Sequence, residues 1–408
     1  MLSADRHSSF RISANGTSHR EWCTVGCPLW SSLGLLGRST VTVWTVIVNE
    51  EGITSDWASQ TMKITWRDPM RPSAAEIYLS LQGQHPQGHA GFLTSGNVVT
   101  ATGETITTAL LHGKVIDNAL VRHRVILNTI GRPLWAYTSD LELLKAHKFI
   151  SDQNFIHGDI SIGNILLAKN PNSGRERVAG FLSDLEFAQS PGPVPSTKET
   201  TTVLHIEKAP GIWTEEAQHS RSWYMLDKHG TDFSITGTLQ FMAYDLLIAI
   251  QDRIQVQRAA EHGVESFIYV LGFTVLRKLL TDAKVQGDRE ILNKYFTKAV
   301  GPISLETIIS SRNSCDALAW VGEARLAHIV KRELSPILIN LLAFFNHCVQ
   351  TQIMLKEWKK RKADFDFTDF QDPTSAYSDV SQGEVTLTHE FLLNSLSTAI
   401  KKLETGAM

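Results

Sequence analysis

The sequence predicts an α+β fold, a small β-rich unit followed by a larger helical one. Three observations carry this reading. The first ~130 residues hold β-branched, aromatic-rich runs with one short helical pattern among them. Beyond Ser139 apolar residues recur at helical spacing or fill a whole stretch, as from Val264 to Leu280. No internal repeat divides the chain otherwise.

Taken in order, residues 1–29 are Ser-rich and patternless and read as a loose leader. Ser39 to Val48 (STVTVWTVIV) is a strand or hairpin, Met62 to Trp66 a shorter strand, and Arg124 to Asn128 (RVILN) a third, closed by Gly131 and Pro133. Ser73 to Leu81 reads as a short helix with Ser73 near its cap. Ser139-Asp-Leu-Glu142 has the S-x-x-E form of a capping box and opens another helix. Ser190 to Asp232 has no clear period and reads as a long loop. Val264 to Leu280 should be a buried helix. Ser335-Pro336 opens a long helix running toward Trp358, with proline in its favoured first turn. Phe365 to Gly383 is acidic and turn-rich, and a last helix sets Leu392, Leu396, Ala399, Ile400 and Leu403 on one face. The expected division is therefore a leader at 1–29, a β-rich lobe at 30–133, a helical lobe at 134–364, and an acidic linker with a C-terminal helix at 365–408.

Composition narrows the function. Of 408 residues 42% are hydrophobic and 20% charged, with 27 Gly and 13 Pro, which excludes collagen-like chains and wholesale disorder. A net charge of −3 supplies no basic excess for nucleic acid or a membrane surface. The basic run Lys356 to Lys362 reads as a solvated helix end. Cys23, Cys27, Cys315 and Cys348 are too scattered for a disulfide framework or a zinc site, so a reducing compartment, cytoplasm or nucleus, is expected. The N-terminus has no apolar core, so no secretory signal is expected. Arg38, Asn340, Asn346 and His347 interrupt the longest apolar stretches, so no membrane-crossing helix is expected either.

The sharpest string is His157-Gly-Asp159-Ile-Ser-Ile-Gly-Asn164, followed after an apolar approach by Ser183-Asp184-Leu-Glu-Phe187. Phosphoryl transfer needs this chemistry: one carboxylate to take the proton of the attacking hydroxyl, and a carboxamide and second carboxylate to hold Mg²⁺ beside the phosphates. These strings resemble the catalytic core of the protein-kinase-like superfamily. Gly237-Thr-Leu-Gln-Phe-Met-Ala-Tyr-Asp245 resembles the end of a protein-kinase activation segment, and His262-Gly-Val-Glu-Ser266 precedes an apolar helix. With Lys63-Ile-Thr-Trp-Arg-Asp-Pro and Leu127-Asn-Thr-Ile-Gly-Arg-Pro133, over roughly residues 30 to 350, the chain is similar to the fungal-type protein kinase family.

That resemblance implies a bilobal protein-kinase-like fold, ATP and Mg²⁺ as cofactors, and Ser or Thr of a protein as substrate, with no nucleic-acid or membrane partner. It makes Asp159 the base, Asn164 and Asp184 the metal ligands, and Lys63 the lysine on the α/β-phosphates, paired with Glu76. Gly37 is what remains of a Gly-rich phosphate loop, and Asn128 to Ile130 is the hinge facing adenine. His157 reads as a packed, hydrogen-bonded structural imidazole.

Four departures stand out. Gly158 replaces the usual arginine, so a phosphorylated activation loop loses its anchor. Tyr244-Asp245 replaces a Pro-Glu pair, and Gly263 replaces an aspartate. Only 26 residues separate Gly131 from His157, so the helix between them has at most about four turns. The function expected is an ATP-dependent serine/threonine protein kinase. The alternatives are a catalytically impaired nucleotide-binding scaffold and a small-molecule phosphotransferase, against which the activation-segment string argues.

Overall fold

The computed structural model describes residues 11–13, 21–31, 41–49, 52–53, 60–70, 73–81, 90–116, 119–128, 131–152, 157–168, 179–185, 199–209, 212–221, 238–254, 256, 259–301, 304–314, 316–364 and 387–406. They fall into two compact units. One holds the described residues up to Gly131 together with Asp184, Leu185 and the 199–221 stretch; the other holds those from Arg132 to Ser183 and from Thr238 onward.

The first unit is built on one antiparallel sheet. Its strands are β1 (Arg11–Ser13), β2 (Glu21–Ser31), β3 (Val41–Asn49), β4 (Gly52–Ile53), β5 (Gln60–Arg67), β6 (Phe92–Asn97) and β7 (Val121–Leu127). Their order is β1-β2-β3-β5-β7-β6, with β4 on β3. The leader expected over 1–29 is thus interrupted by β1 and most of β2. Trp22 and Thr24 alternate inward there, a period too short to stand out beside Ser-rich neighbours. Trp22, Val43, Met62 and Ile126 form a buried cluster on one face of the sheet. Met62 lies opposite Val43 and Ile126. Because strand side chains alternate, burying Met62 turns its neighbour Lys63 to the other face.

Two helices join these strands, α1 (Ala74–Leu81) and α2 (Thr108–His112). The stretch expected as a long loop contains β11 (Glu199–Ala209) and β12 (Ile212–Arg221), an antiparallel pair. Its β-branched run Thr200 to Val203 is surrounded by charged and polar residues that hide a strand period.

The second unit is largely helical, with a three-stranded sheet ordered β10-β9-β8, made of β8 (Gly131–Pro133), β9 (Ile165–Ala168) and β10 (Gly180–Leu182). The helix α3 (Asp140–Ser151) has 12 residues, within the four turns that the spacing allows. Ser139 caps it by accepting from the Glu142 amide at 3.2 Å. The Glu142 carboxylate reaches back to the Thr138 amide at 2.7 Å and pairs with Arg132. The remaining helices are α4 (Tyr244–Asp252), α5 (Ala260–Asp282), α6 (Gln286–Val300), α7 (Leu305–Asn313), α8 (Asp316–Ala319), α9 (Ala327–Glu333), α10 (Pro336–Asp364) and α11 (His389–Thr405).

The apolar helix expected from Val264 is α5. It is buried on nearly every side and packs against α3, α6, α8, α10 and α11. On α11, Leu392, Leu396, Ala399 and Ile400 are buried, as the spacing predicts, with α11 against α3 and α10. The His389 imidazole meets the Ser151 carbonyl at the end of α3. Each buried aliphatic side chain on this face contributes roughly 1.5–3 kcal/mol. The apolar face of α11 thereby covers the short α3. By length and composition alone α10 reaches what a membrane crossing needs, contrary to the sequence expectation. Its Leu338, Leu342, Phe345 and Val349 are buried in the second unit, as in a core helix.

Candidate active site

The site residues fall into two groups, one in each unit. In the first unit Lys63 extends from β5, where register sets it between Thr42 and Val125. Its ammonium pairs with the carboxylate of Asp184, both side chains mostly withdrawn from solvent. Asp184 follows β10 in the chain and sits in the left-handed region, at φ 63°. Aspartate is one of the few side chains that tolerate this region, and residues held there cluster at functional sites. Beside it the Tyr78 phenol is buried. Burial first, and then the Asp184 charge, push its pKa well above the usual range.

Glu76 does not make the pair that the resemblance implies. Its carboxylate accepts from the Ser73 amide at 2.6 Å, while the Ser73 hydroxyl accepts from the Glu76 amide at 3.3 Å. This is a reciprocal capping box at the start of α1. The cap is local and satisfies two amides that the helix itself leaves unpaired, so it holds the carboxylate and Lys63 turns to Asp184. Asn128 ends β7, and its amide donates to the Gly91 carbonyl at 2.8 Å. That N–H already serves the sheet rather than pointing at a base. Gly37 and Ile130 lie outside the described residues.

In the second unit the loop from His157 to Asn164 is tied down by its own side chains. His157 is buried; its Nε2 lies 3.0 Å from the Ser183 carbonyl and its Nδ1 accepts from the Asp159 amide at 3.3 Å. The imidazole is therefore structural, as the sequence suggests, and carries its proton on Nε2. The Asn164 Nδ2 donates to the Asp159 carbonyl at 2.9 Å, and the Asn164 carbonyl accepts from the Ser183 amide at 2.8 Å. So the two loop ends and the strand before Asp184 share one hydrogen-bonded frame. Gly158 has φ 78°, where any side chain would be strained. An arginine at this position would be strained on that backbone.

Asp159 carries the contact that the sequence did not reveal. Its Oδ1 accepts from both the amide and the hydroxyl of Thr238, at 2.9 and 3.1 Å. Thr238 was legible as part of Gly237-Thr-Leu-Gln-Phe-Met-Ala, but nothing local says which residue, 79 positions away, it would meet. Just beyond it, Glu265 is buried and its Oε1 accepts from the Tyr244 amide at 2.8 Å and the Tyr269 hydroxyl at 2.7 Å. Burial raises the Glu265 pKa, while those two donors pull it down. Asp245 does not reach a helical arginine; it pairs with Lys356 at 2.6 Å. A Cβ added to Gly263 would meet nothing within 4 Å, so the position of the missing aspartate is open space.

The donor chemistry fits a hard cation. Each unit taken by itself offers one such donor: Asp184 a carboxylate oxygen in the first, and Asn164 in the second an Oδ1 that makes no bond among the described residues, its Nδ2 being the atom that holds the loop. Among the described residues no group of three or more His, Cys, Asp or Glu forms a metal cluster of its own.

The fold, with its β-rich and helical units, and the His157-to-Asn164 loop define a protein-kinase-like chain. Residues 83–275 match the family model described as fungal protein kinase. Over that stretch, a little under half of the chain, the sequence is similar to the fungal protein kinase family. The match takes in Asp159, Asn164, Asp184, Thr238 and Glu265; Lys63 and Glu76 lie before it. No curated protein matches the chain.

Proposed function

We propose that the chain is a serine/threonine protein kinase that moves the γ-phosphoryl group of ATP, with Mg²⁺, to a hydroxyl of a protein substrate. One observation supports this above the others: Asp159 is aimed by two hydrogen bonds from Thr238 within the matched stretch. Those bonds engage Oδ1. The other oxygen, Oδ2, makes no bond among the described residues and is the atom to orient and deprotonate the attacking hydroxyl. Lys63, paired with Asp184 here, would hold the phosphates of a bound nucleotide in its place. The resemblance makes Asp184 and Asn164 the residues that would hold Mg²⁺, which would offset charge on the β- and γ-phosphates. The serine/threonine choice rests on the resemblance of the activation-segment string.

The test is transfer of labelled γ-phosphate to a mixture of protein substrates, beside Asp159→Asn. Label in protein that the variant fails to incorporate supports the reading. Label in small molecules only, or equal label with Asp159→Asn, overturns it.

A second reading, a nucleotide-binding scaffold without turnover, is favoured by Gly263. The family's aspartate at that position is replaced here by a residue with no side chain and empty space around it. A magnesium-dependent rise in melting temperature with ATP, without any transfer, would select it. Nucleotide at ~100 times its dissociation constant adds about 2.7 kcal/mol.

A further inference from the structure

We infer that Glu265 and Arg312 are positioning residues for Asp159, acting through Thr238. The inference rests on the kinase reading for its catalytic meaning, but its geometry stands apart. Thr238 opens a short 3₁₀ turn, Leu239–Phe241, that leads into α4. This segment is gripped at two points. Arg312, on α7, is buried, and its Nη2 donates to the Gln240 carbonyl, two residues from Thr238. Glu265, on α5, accepts from the Tyr244 amide, the first of α4. That amide is one of the donors a helix start leaves unpaired. Tyr269 joins the two grips: its hydroxyl donates to Glu265, and the Arg312 guanidinium lies 3.5 Å from its ring centroid. The Phe241 ring meets Phe273 of α5 edge-on, with centroids 5.4 Å apart.

The consequence is an anchor of a particular kind. Asp245 is taken by Lys356, so a carboxylate–arginine pair at the end of the segment is not what holds it. The backbone of Gln240 and Tyr244 is held instead, and with it the direction in which Thr238 presents two donors to Asp159. Both charges are buried and each stands close to the other through Tyr269, so losing either leaves its neighbour poorly compensated. A movement of the turn by one ångström would lengthen both Thr238 bonds at once. A misplacement of that size can cost ~100-fold in rate.

The full-length chain is compared with Arg312→Lys, Glu265→Gln, Thr238→Ala and the double variant Thr238→Ala/Arg312→Lys. Two quantities are read: hydrogen exchange of the Thr238 amide, and kcat and KM for ATP in the transfer assay. Arg312→Lys keeps the charge but loses the planar fork and the stacking. It should speed Thr238 exchange at least tenfold and lower kcat about tenfold or more, with KM for ATP unchanged. In the Thr238→Ala background, which loses the hydroxyl donor and keeps the amide, the same change should lower kcat by clearly less than it does in the parent, since residues acting through one another are not additive. Glu265→Gln keeps an acceptor for the Tyr244 amide and serves if Arg312→Lys does not fold; it should speed Thr238 exchange to a smaller degree. Unchanged Thr238 exchange in a folded variant overturns the inference, as do additive kcat losses. If the parent chain transfers no phosphate, the kinase reading fails, while faster Thr238 exchange in the variants still upholds the anchor.

Discussion

The groups around Lys63 and those around Asp159 are held in opposite ways. The Lys63 ammonium and the Asp184 carboxylate meet in one ion pair between side chains. Asp159 is held by backbone: its amide bonds to His157, its carbonyl accepts from Asn164, and its carboxylate takes the Thr238 amide. An ion pair between side chains can be exchanged for a phosphate or a cation at little cost. A frame of backbone hydrogen bonds cannot. On the proposed kinase reading, the first arrangement suits groups that would release one another when nucleotide arrives, and the second a base whose direction must not change.

The contrast can be broken most sharply at Asp159. Asp159→Asn keeps the acceptor for Thr238 but loses the base, so transfer should fall ~10²–10⁴-fold while the ATP-induced rise in melting temperature persists. A phosphate-transfer assay beside a thermal melt checks both halves. Acid is the next probe. His147 in the second unit and His123 in the first are buried, and burial pushes both pKa values down to about 3; Arg67, Arg124 and Lys63 add to it at His123. The Nε2 of each makes no hydrogen bond among the described residues. Unfolded, each takes a proton below its ordinary 6.5; folded, each refuses it until about 3. Stability is therefore full above pH ~6.5 and is lost as pH falls toward 3, by at most roughly 5 kcal/mol per histidine. Urea midpoints from pH 7 to pH 4 should fall steeply, and less so in His147→Phe.

Glu265→Ala removes a buried carboxylate from Tyr244, Tyr269 and Arg312 together and should cost about 3 kcal/mol or more by denaturant unfolding. In the first unit, Asp184→Ala frees Lys63 and should abolish the magnesium-dependent part of the melting shift, about 2.7 kcal/mol at ~100-fold excess ligand. Smallest is Glu76. If it serves its own helix, Glu76→Ala costs only about 1 kcal/mol and Glu76→Gln close to nothing, with ATP binding kept in both. A loss of ATP binding in Glu76→Gln would mean that the carboxylate leaves its cap for Lys63 in the working protein.

Much of this was legible in the sequence because it depends on neighbours. β3, β5 and β7 follow from β-branched runs, α3 from its cap and the 26-residue spacing, and the burial of α5 from a continuous apolar stretch. Asp159, Asn164 and Asp184 stood out because their chemistry is concentrated in short strings. The Ser-rich surroundings of β2 hid it, and the 199–221 pair was obscured by its polar residues.

Partner choice was decided elsewhere. Lys63 had Glu76 close in sequence and took Asp184; Glu76 had Lys63 within reach of the motif and took Ser73. Thr238 meets Asp159 across 79 positions, and Arg312 meets Gln240 across 72. A capping box needs only one turn of helix, so sequence by itself determines whether it can form. Which carboxylate a lysine finds, or which carbonyl a buried arginine holds, depends on ångström distances set by packing between elements far apart in the chain, and only the tertiary structure settles those.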